Sequence, residues 1–411
     1  MIKTPKPQKN QLKIKRIIGH IKGKDKGPTL LFFGGIHGNE YSGVQALEHV
    51  FQRLGAGSFD VKGNLIGIRG NLPALLQGKR FIKTDLNRMW STSKIKAIQE
   101  KKEVELTEEE GELLELLQVV TDILSTMEPP FYFVDFHTTS SKTLPFITIN
   151  DALINRKFSK LFPVPIILGI EEYLQGPLLS YINEKGYVSL GFESGQHTEI
   201  NAVKNSISFL WLALVFSGFL EKEAVTDFES HYRQLQCSAQ NNTSFYEVVH
   251  RHALVEEDGF WMKKGFRSFE HVQKGTVLAM DGAKELRAPQ DTIVFMPLYQ
   301  EQGEEGFFLI QRIPKWALAW SAFLRRIRTH GWLTYLPGIS WKDGKKEELL
   351  VNLRVAKFLT RPFFHLLGYR KKDLDKNHLL MQNRERTAKN DIYRNEWWYG
   401  PLAQGHKSLP L

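Results

Sequence analysis

The chain has 411 residues, 42% of them hydrophobic and 24% charged, with 55 Lys and Arg against 45 Asp and Glu. That length allows two or three domains and a full core, and the ordinary apolar content excludes a disordered or fibrous chain. The single cysteine, Cys237, excludes an internal disulfide framework and a cysteine-rich metal site, and it suits a reducing compartment.

At the N-terminus, Met1-Ile2-Lys3-Thr4-Pro5-Lys6 is basic without an apolar core, so no secretory signal is expected and the location is expected to be cytoplasmic. Leu30-Leu31-Phe32-Phe33 is a predicted buried strand. It runs into the glycine turn Gly34-Gly35-Ile36-His37-Gly38-Asn39-Glu40 and then into a helix with Val44, Leu47, Val50, Phe51 and Leu54 on one face. His37 and Glu40 stand three apart at that corner, where an imidazole and a carboxylate can grip one zinc ion. A second predicted strand, Leu65-Ile66-Gly67-Ile68, leads to Gly70-Asn71-Leu72-Pro73-Ala74, Arg80 and Thr84-Asp85-Leu86-Asn87-Arg88. An arginine fork there suits a carboxylate, with an asparagine to orient it; the plainer alternative is a solvated loop. Residues 94–107 are charged and read as an exposed loop-and-helix excursion, followed by a helix over 109–127.

Phe131-Tyr132-Phe133-Val134-Asp135-Phe136-His137-Thr138-Thr139 is a further apolar strand with a histidine at its C-terminal end, the edge where open α/β sheets gather their sites. Alone, His137 would read as a core histidine bonded to a backbone carbonyl. As a third ligand it completes a zinc site with one position open for water. An imidazole ligand needs its far nitrogen anchored, and Asp85 or Asp135 can do that. Leu190-Gly191-Phe192-Glu193-Ser194-Gly195-Gln196-His197 ends another strand with a glutamate in a glycine-flanked turn. Glu193 is either a surface turn residue or the carboxylate that takes a proton from the zinc-bound water and hands it to the leaving group. The most apolar stretch, residues 209–220, is well short of the ~20 residues needed to span a bilayer, so it is predicted to be a buried helix behind Glu193.

After a helix near Ala224, residues 245–312 become short strands punctuated at Gly265, Gly275 and Asp281-Gly282. Residues 312–411 hold 20 Lys and Arg against 8 Asp and Glu, a net of +12 in a chain whose total is +10. A predicted helix from Trp316 ends in Arg325-Arg326-Ile327-Arg328, and the remainder mixes aromatic and basic residues, as in Tyr369-Arg370-Lys371-Lys372 and Trp397-Trp398-Tyr399. This pattern fits either an anionic partner (nucleic acid, membrane surface or acidic protein) or a helical extension packed on its own chain or on a second subunit.

Gly34-Gly35-Ile36-His37-Gly38-Asn39-Glu40, Arg80, Asp85-Leu86-Asn87-Arg88, Asp135-Phe136-His137-Thr138-Thr139 and Glu193 stand in the order and at the separations of one known family. Across residues 28–310 the chain resembles the succinylglutamate desuccinylase/aspartoacylase family, a branch of the zinc carboxypeptidase-like hydrolases. The resemblance implies an α/β fold: a mixed-sheet zinc-carboxypeptidase-like catalytic domain over 1–225 and a small all-β domain over 226–312 that caps the cleft; residues 313–411 lie outside the resemblance and are expected to form a basic, mostly helical extension. It implies one Zn2+ per chain held by His37, Glu40 and His137, with Glu193 as general base and acid. Arg80 would stabilise the oxyanion, Asn87 and Arg88 would bind a substrate carboxylate, and Asp85 would orient His37.

The implied activity is zinc-dependent hydrolysis of the amide bond of a small carboxylate-bearing N-acyl amino acid. The alternatives are a carboxypeptidase acting on a short or modified peptide and a non-catalytic binding protein working through its basic tail. Aspartoacylase proper clamps a second carboxylate with an arginine where this chain has Asn183, and with a tyrosine where it has Phe307-Phe308. Both differences weigh against N-acetylaspartate as the substrate. A homo-oligomer is compatible with all of these readings.

Overall fold

The computed structural model describes residues 14–254, 259–326, 333–342, 348–352, 355, 361–373 and 378–400. Met1 to Lys6, Ile327 and Arg328 lie outside the described residues.

The chain starts with β1 (Ile17–Lys22), β2 (Asp25–Gly34), α1 (Ser42–Ala56), β3 (Lys62–Arg69), α2 (Leu72–Gln77), α3 (Thr92–Gln99) and α4 (Glu108–Thr126). It continues through β4 (Phe131–Thr139), β5 (Phe146–Ile149), α5 (Leu153–Ser159), β6 (Ile166–Leu168), α6 (Leu178–Glu184), β7 (Val188–Gln196), α7 (Ile200–Phe216), α8 (Phe228–Ser238) and β8 (Phe245–Ala253). One mixed sheet of eleven strands runs in the order β1-β3-β2-β4-β7-β5-β6-β8, then Glu305–Arg312, Thr292–Phe295 and Glu270–Val272.

Successive side chains of a strand face opposite sides, and helices cover both faces of this sheet. Leu30 and Phe32 of β2 and Tyr132, Val134 and Phe136 of β4 therefore join one core with α1, α5 and α7. Leu31, Phe33, Phe131 and Phe133 join the other core with α3, α4 and α6. This double-sided burial explains why these strands are continuous apolar runs rather than alternating ones. Helix α7, the stretch predicted from residues 209–220, is buried beside β7, and Asn205 Nδ2 on it donates to the Ser194 carbonyl at 2.8 Å. Among the described residues no helix is long and apolar enough to cross a membrane.

Three expectations are corrected. The excursion over 94–107 is not simply exposed: α3 turns Ile95 and Ile98 into the core, a pair that dense charge hides from a periodicity count. The strands expected of a separate β domain extend the catalytic sheet, because β6 pairs in parallel with β8 and β8 pairs with Glu305–Arg312. Only Phe260–Met262, Val277–Asp281 and Lys284–Arg287 form a small sheet of their own. The extension is not helical alone: among its described residues, besides α9 (Lys315–Arg326) and the short helices Arg361–Leu366 and Arg384–Thr387, stands a four-stranded antiparallel sheet of Ile339–Trp341, Glu348–Asn352, His378–Asn383 and Tyr369–Asp373. Its core is Leu349, Val351, Tyr369 and Met381, alternate residues on half-buried strands.

The basic extension is anchored on its own chain. Arg325 and Arg370 reach buried Asp151, which Arg156 also pairs with. Further along, the chain returns to the catalytic sheet, where Tyr393 and Trp398 pack around Tyr132.

Candidate metal centre and active site

Strands β2, β4 and β7 are parallel neighbours, so their C-terminal ends share one edge of the sheet. Register completes the convergence: Gly34 lies beside Phe136, Phe136 beside Phe192, and His137 beside Glu193. Two glycines shape the turn after β2. Gly35 has φ +74°, and a Cβ on Gly38 would sit 2.1 Å from the Ala74 backbone, so neither position tolerates a side chain.

His37 Nδ1 lies 2.9 Å from Glu40 Oε1, and His137 Nδ1 lies 3.0 Å from Glu40 Oε2. The far nitrogens reach carboxylates: His37 Nε2 to Asp85 at 3.1 Å and His137 Nε2 to Asp135 at 2.7 Å. Both aspartates weighed as anchors are therefore used, one for each imidazole. The backbone N–H of Thr138 donates to Glu40 Oε2 at 2.9 Å. One ligand atom from each of His37, Glu40 and His137 lies within 4.8 Å of the others, and all three residues are buried.

The donor set itself tests whether a cation fits. With Asp85 and Asp135 accepting from Nε2, each imidazole would have its Nδ1 available, beside the Glu40 oxygens, to bind a cation. The buried carboxylates need compensating positive charge: burial opposes a protonated His137, yet Asp135 and Glu40 raise it well above the usual histidine range, and a metal ion among the three donors would supply the same charge. Glu40, Asp85, Asp135 and Glu193 bring four carboxyl groups together against the guanidinium groups of Arg80 and Arg88, so the surroundings favour a cation as well. Two imidazole nitrogens and one carboxylate are a zinc donor set. Burial works against ionisation of Glu40, yet His37 and His137 hold its carboxyl well below the usual range. His37 and Arg80 do the same for buried Asp85.

The loop bearing Arg80 and Asp85 is held by Glu109 in the first turn of α4, which accepts from the backbone N–H of Ile82 at 2.6 Å and Lys83 at 3.1 Å. Arg80 then bridges Asp85 Oδ2 at 3.1 Å and Glu40 Oε1 at 3.4 Å. Glu193 is buried, and its Oε2 has no hydrogen-bond partner among the described residues. Burial pushes its carboxyl up to about 7, with the nearby histidines opposing the shift.

Asn87 and Arg88, expected to take a substrate carboxylate, have partners within the chain. Asn87 Oδ1 accepts from the backbone N–H of Leu178 at 2.9 Å, so half of its amide is used to start α6. Arg88 Nη2 donates to Glu305 at 2.9 Å, and its Nε lies 3.4 Å from Glu304. A cavity of about 60 Å³ borders the cluster, lined by Arg80, Thr138, His197, Gln300, Glu305 and Phe308 among others. Asn183 is buried on α6 and Phe308 carries no hydroxyl, so neither offers a carboxylate clamp.

The sequence reading assigned no role to His197 or Gln300. His197 Nδ1 lies 2.6 Å from the Thr138 hydroxyl, and its Nε2 lies 3.0 Å from Gln300 Oε1, which also accepts from Asn39 Nδ2 at 3.2 Å. The only signal available was the place of His197 four residues after Glu193. Gln300 is far off in the chain and gave none.

The catalytic-domain profile of succinylglutamate desuccinylase and aspartoacylase matches residues 26–180. The succinylglutamate desuccinylase of Pseudomonas paraeruginosa is 34% identical over 71 residues, which cover 17% of this chain and 21% of that protein. That of Photorhabdus laumondii is 39% identical over 62 residues, covering 15% and 19%. The aligned part thus spans about a fifth of the curated relatives' length. Among solved structures, the Rhodobacter sphaeroides succinylglutamate desuccinylase/aspartoacylase superposes with TM-score 0.54 at 19% identity, covering 72% of this chain and 88% of that one. The ectoine utilization protein of Ruegeria pomeroyi, solved with product bound, gives TM-score 0.52 at 21% identity, with coverage of 72% and 88%. These two likenesses establish the fold.

Proposed function

We propose, from the premise that this chain belongs to the succinylglutamate desuccinylase/aspartoacylase family through residues 26–180, that it is a zinc-dependent hydrolase releasing an N-acyl group from a small amino acid. The carrying observation is the convergence of His37, Glu40 and His137, each imidazole backed by its own aspartate, beside the buried carboxyl of Glu193, whose Oε2 has no hydrogen-bond partner among the described residues. A zinc ion held by those three residues would acidify a water and polarise the acyl carbonyl.

The chain's own groups do the rest. Glu193 takes the proton of the attacking water and delivers it to the departing amine. Arg80, pinned by Asp85, offers fixed positive charge to the oxygen that becomes negative. Asp85 and Asp135 keep both imidazoles in the tautomer with Nδ1 free to bind. The amide nitrogen of Asn87 and the guanidinium of Arg88 take a substrate carboxylate once Glu305 yields it.

Elemental analysis of purified protein is expected to give one zinc per chain. His37→Ala and His137→Ala are expected to cut that content at least tenfold, since each removes one of three donors. Full zinc occupancy in both variants would refute the site. A screen for free-amine release should favour N-acyl amino acids over dipeptides; the reverse preference would point to the carboxypeptidase alternative.

Because Glu305 competes with a substrate carboxylate for Arg88, Glu305→Gln is expected to lower KM for carboxylate-bearing substrates roughly tenfold with kcat unchanged. A raised KM would instead mean that Glu305 positions Arg88.

A further inference from the structure

Helix α9 packs Leu318 and Leu324 against apolar cores, but the two residues it buries most deeply are polar. Ser321 and Arg325 are 2% and 3% exposed, and they face inward. Ser321 Oγ donates to the Leu366 carbonyl at 2.9 Å, and Arg325 pairs with Asp151 at 2.8 Å and Glu385 at 3.0 Å. The opposite face carries Trp316, Trp320 and Phe323, which are 66%, 56% and 52% exposed. Spacings of four and three set these rings in one stripe along the helix.

Residues 311–326 contain no acidic side chain. Lys315 and Arg326 on the same helix, and Arg312 at the end of the strand before it, are exposed and form no ion pair among the described residues. An aromatic stripe flanked by unpaired cations is the arrangement that lies in a lipid interface, rings among the headgroups and cations on anionic lipid.

We propose that the outer face of α9 docks this protein on an anionic membrane surface, with Trp316, Trp320 and Phe323 entering the interface. Two other occupants fit less well. A second copy would bring the same row of cations against itself. A nucleic acid strand needs parallel ring faces for its bases, whereas Trp320 and Phe323 stand at 88° to each other. The inference uses no residue of the metal centre, so it stands or falls apart from the proposed activity.

The test is flotation of the full-length protein with phosphatidylcholine vesicles containing about a third phosphatidylglycerol, compared with pure phosphatidylcholine. Binding is expected to be about tenfold tighter to the anionic vesicles, with brominated acyl chains quenching tryptophan fluorescence. Trp316→Ser combined with Trp320→Ser and Phe323→Ser is expected to abolish flotation with circular dichroism unchanged. Independently, Lys315→Glu with Arg326→Glu is expected to remove the preference for anionic lipid. The proposal is overturned if wild type does not float, or if flotation survives both sets of substitutions. It is equally overturned if sedimentation shows a dimer that the aromatic triple substitution dissolves, or if a single-stranded oligonucleotide is captured more tightly than vesicles through the same residues.

Discussion

Glu193→Gln is expected to lower turnover of the best N-acyl substrate by about 10²–10⁴-fold while leaving bound zinc unchanged. The substitution keeps the shape of the side chain and removes its ability to hold a proton. Glu193 suits a proton-transfer role for two reasons visible in its surroundings. It comes from β7 beside His137 on β4, so it borders the ligands without being one of the three clustered donors. Its Oε2 is buried with no donor assigned to it, and burial lifts the carboxyl toward neutrality, the range in which a group both accepts and returns a proton. Measured with metal-replete protein, activity within tenfold of wild type would remove Glu193 from the mechanism. Loss of zinc along with activity would move it into the ligand set.

The three clustered donors were legible in the sequence because local chemistry marks them. His37 and Glu40 share one glycine turn, and His137 closes an apolar strand, so strand polarity alone predicts that they meet at one edge of a parallel sheet. Asp135 was legible for the same reason, since it lies two residues before His137 on the same strand and so faces the same side. The environment of Arg88 was not. Its partner Glu305 is 217 residues away, and the pairing depends on a strand near the far end of the sheet. The continuity of that sheet was hidden as well, because the β6–β8 pairing joins segments that the turn pattern assigns to different domains. In the extension, charge counting left open an anionic partner or packing on the chain itself, and Arg325 and Arg370 prove to be buried against Asp151, Glu172 and Glu385. Net charge reports the supply of cations; only the fold decides which of them reach solvent.

That enclosure carries the largest stability effect expected for a single substitution. Asp151 is fully buried, and its carboxylate accepts from Arg156, Arg325 and Arg370, with Glu172 completing the pairing of Arg370 at 3.0 Å. Asp151→Ala would leave three guanidinium groups facing one another without their shared anion, so unfolding in urea is expected to show a loss of about 3–5 kcal/mol. The pH dependence has a definite sign. Burial opposes ionisation of Asp151, but Arg156, Arg325 and Arg370 overcome it and hold the carboxyl well below its ordinary 3.8. A carboxyl depressed in the fold stabilises at pH above its unfolded value, and that contribution disappears as pH falls through the folded value. The gap between wild type and Asp151→Ala should therefore be widest near neutrality and narrow in acid, once the wild-type carboxyl takes up its proton. Asp151→Asn should fall between the two, since it keeps a hydrogen-bond acceptor and loses the charge. Equal stability of all three proteins across that pH range would mean that solvent already screens the three arginines. The extension would then be held by its apolar contacts around Tyr393 and Trp398 rather than by the ion cluster.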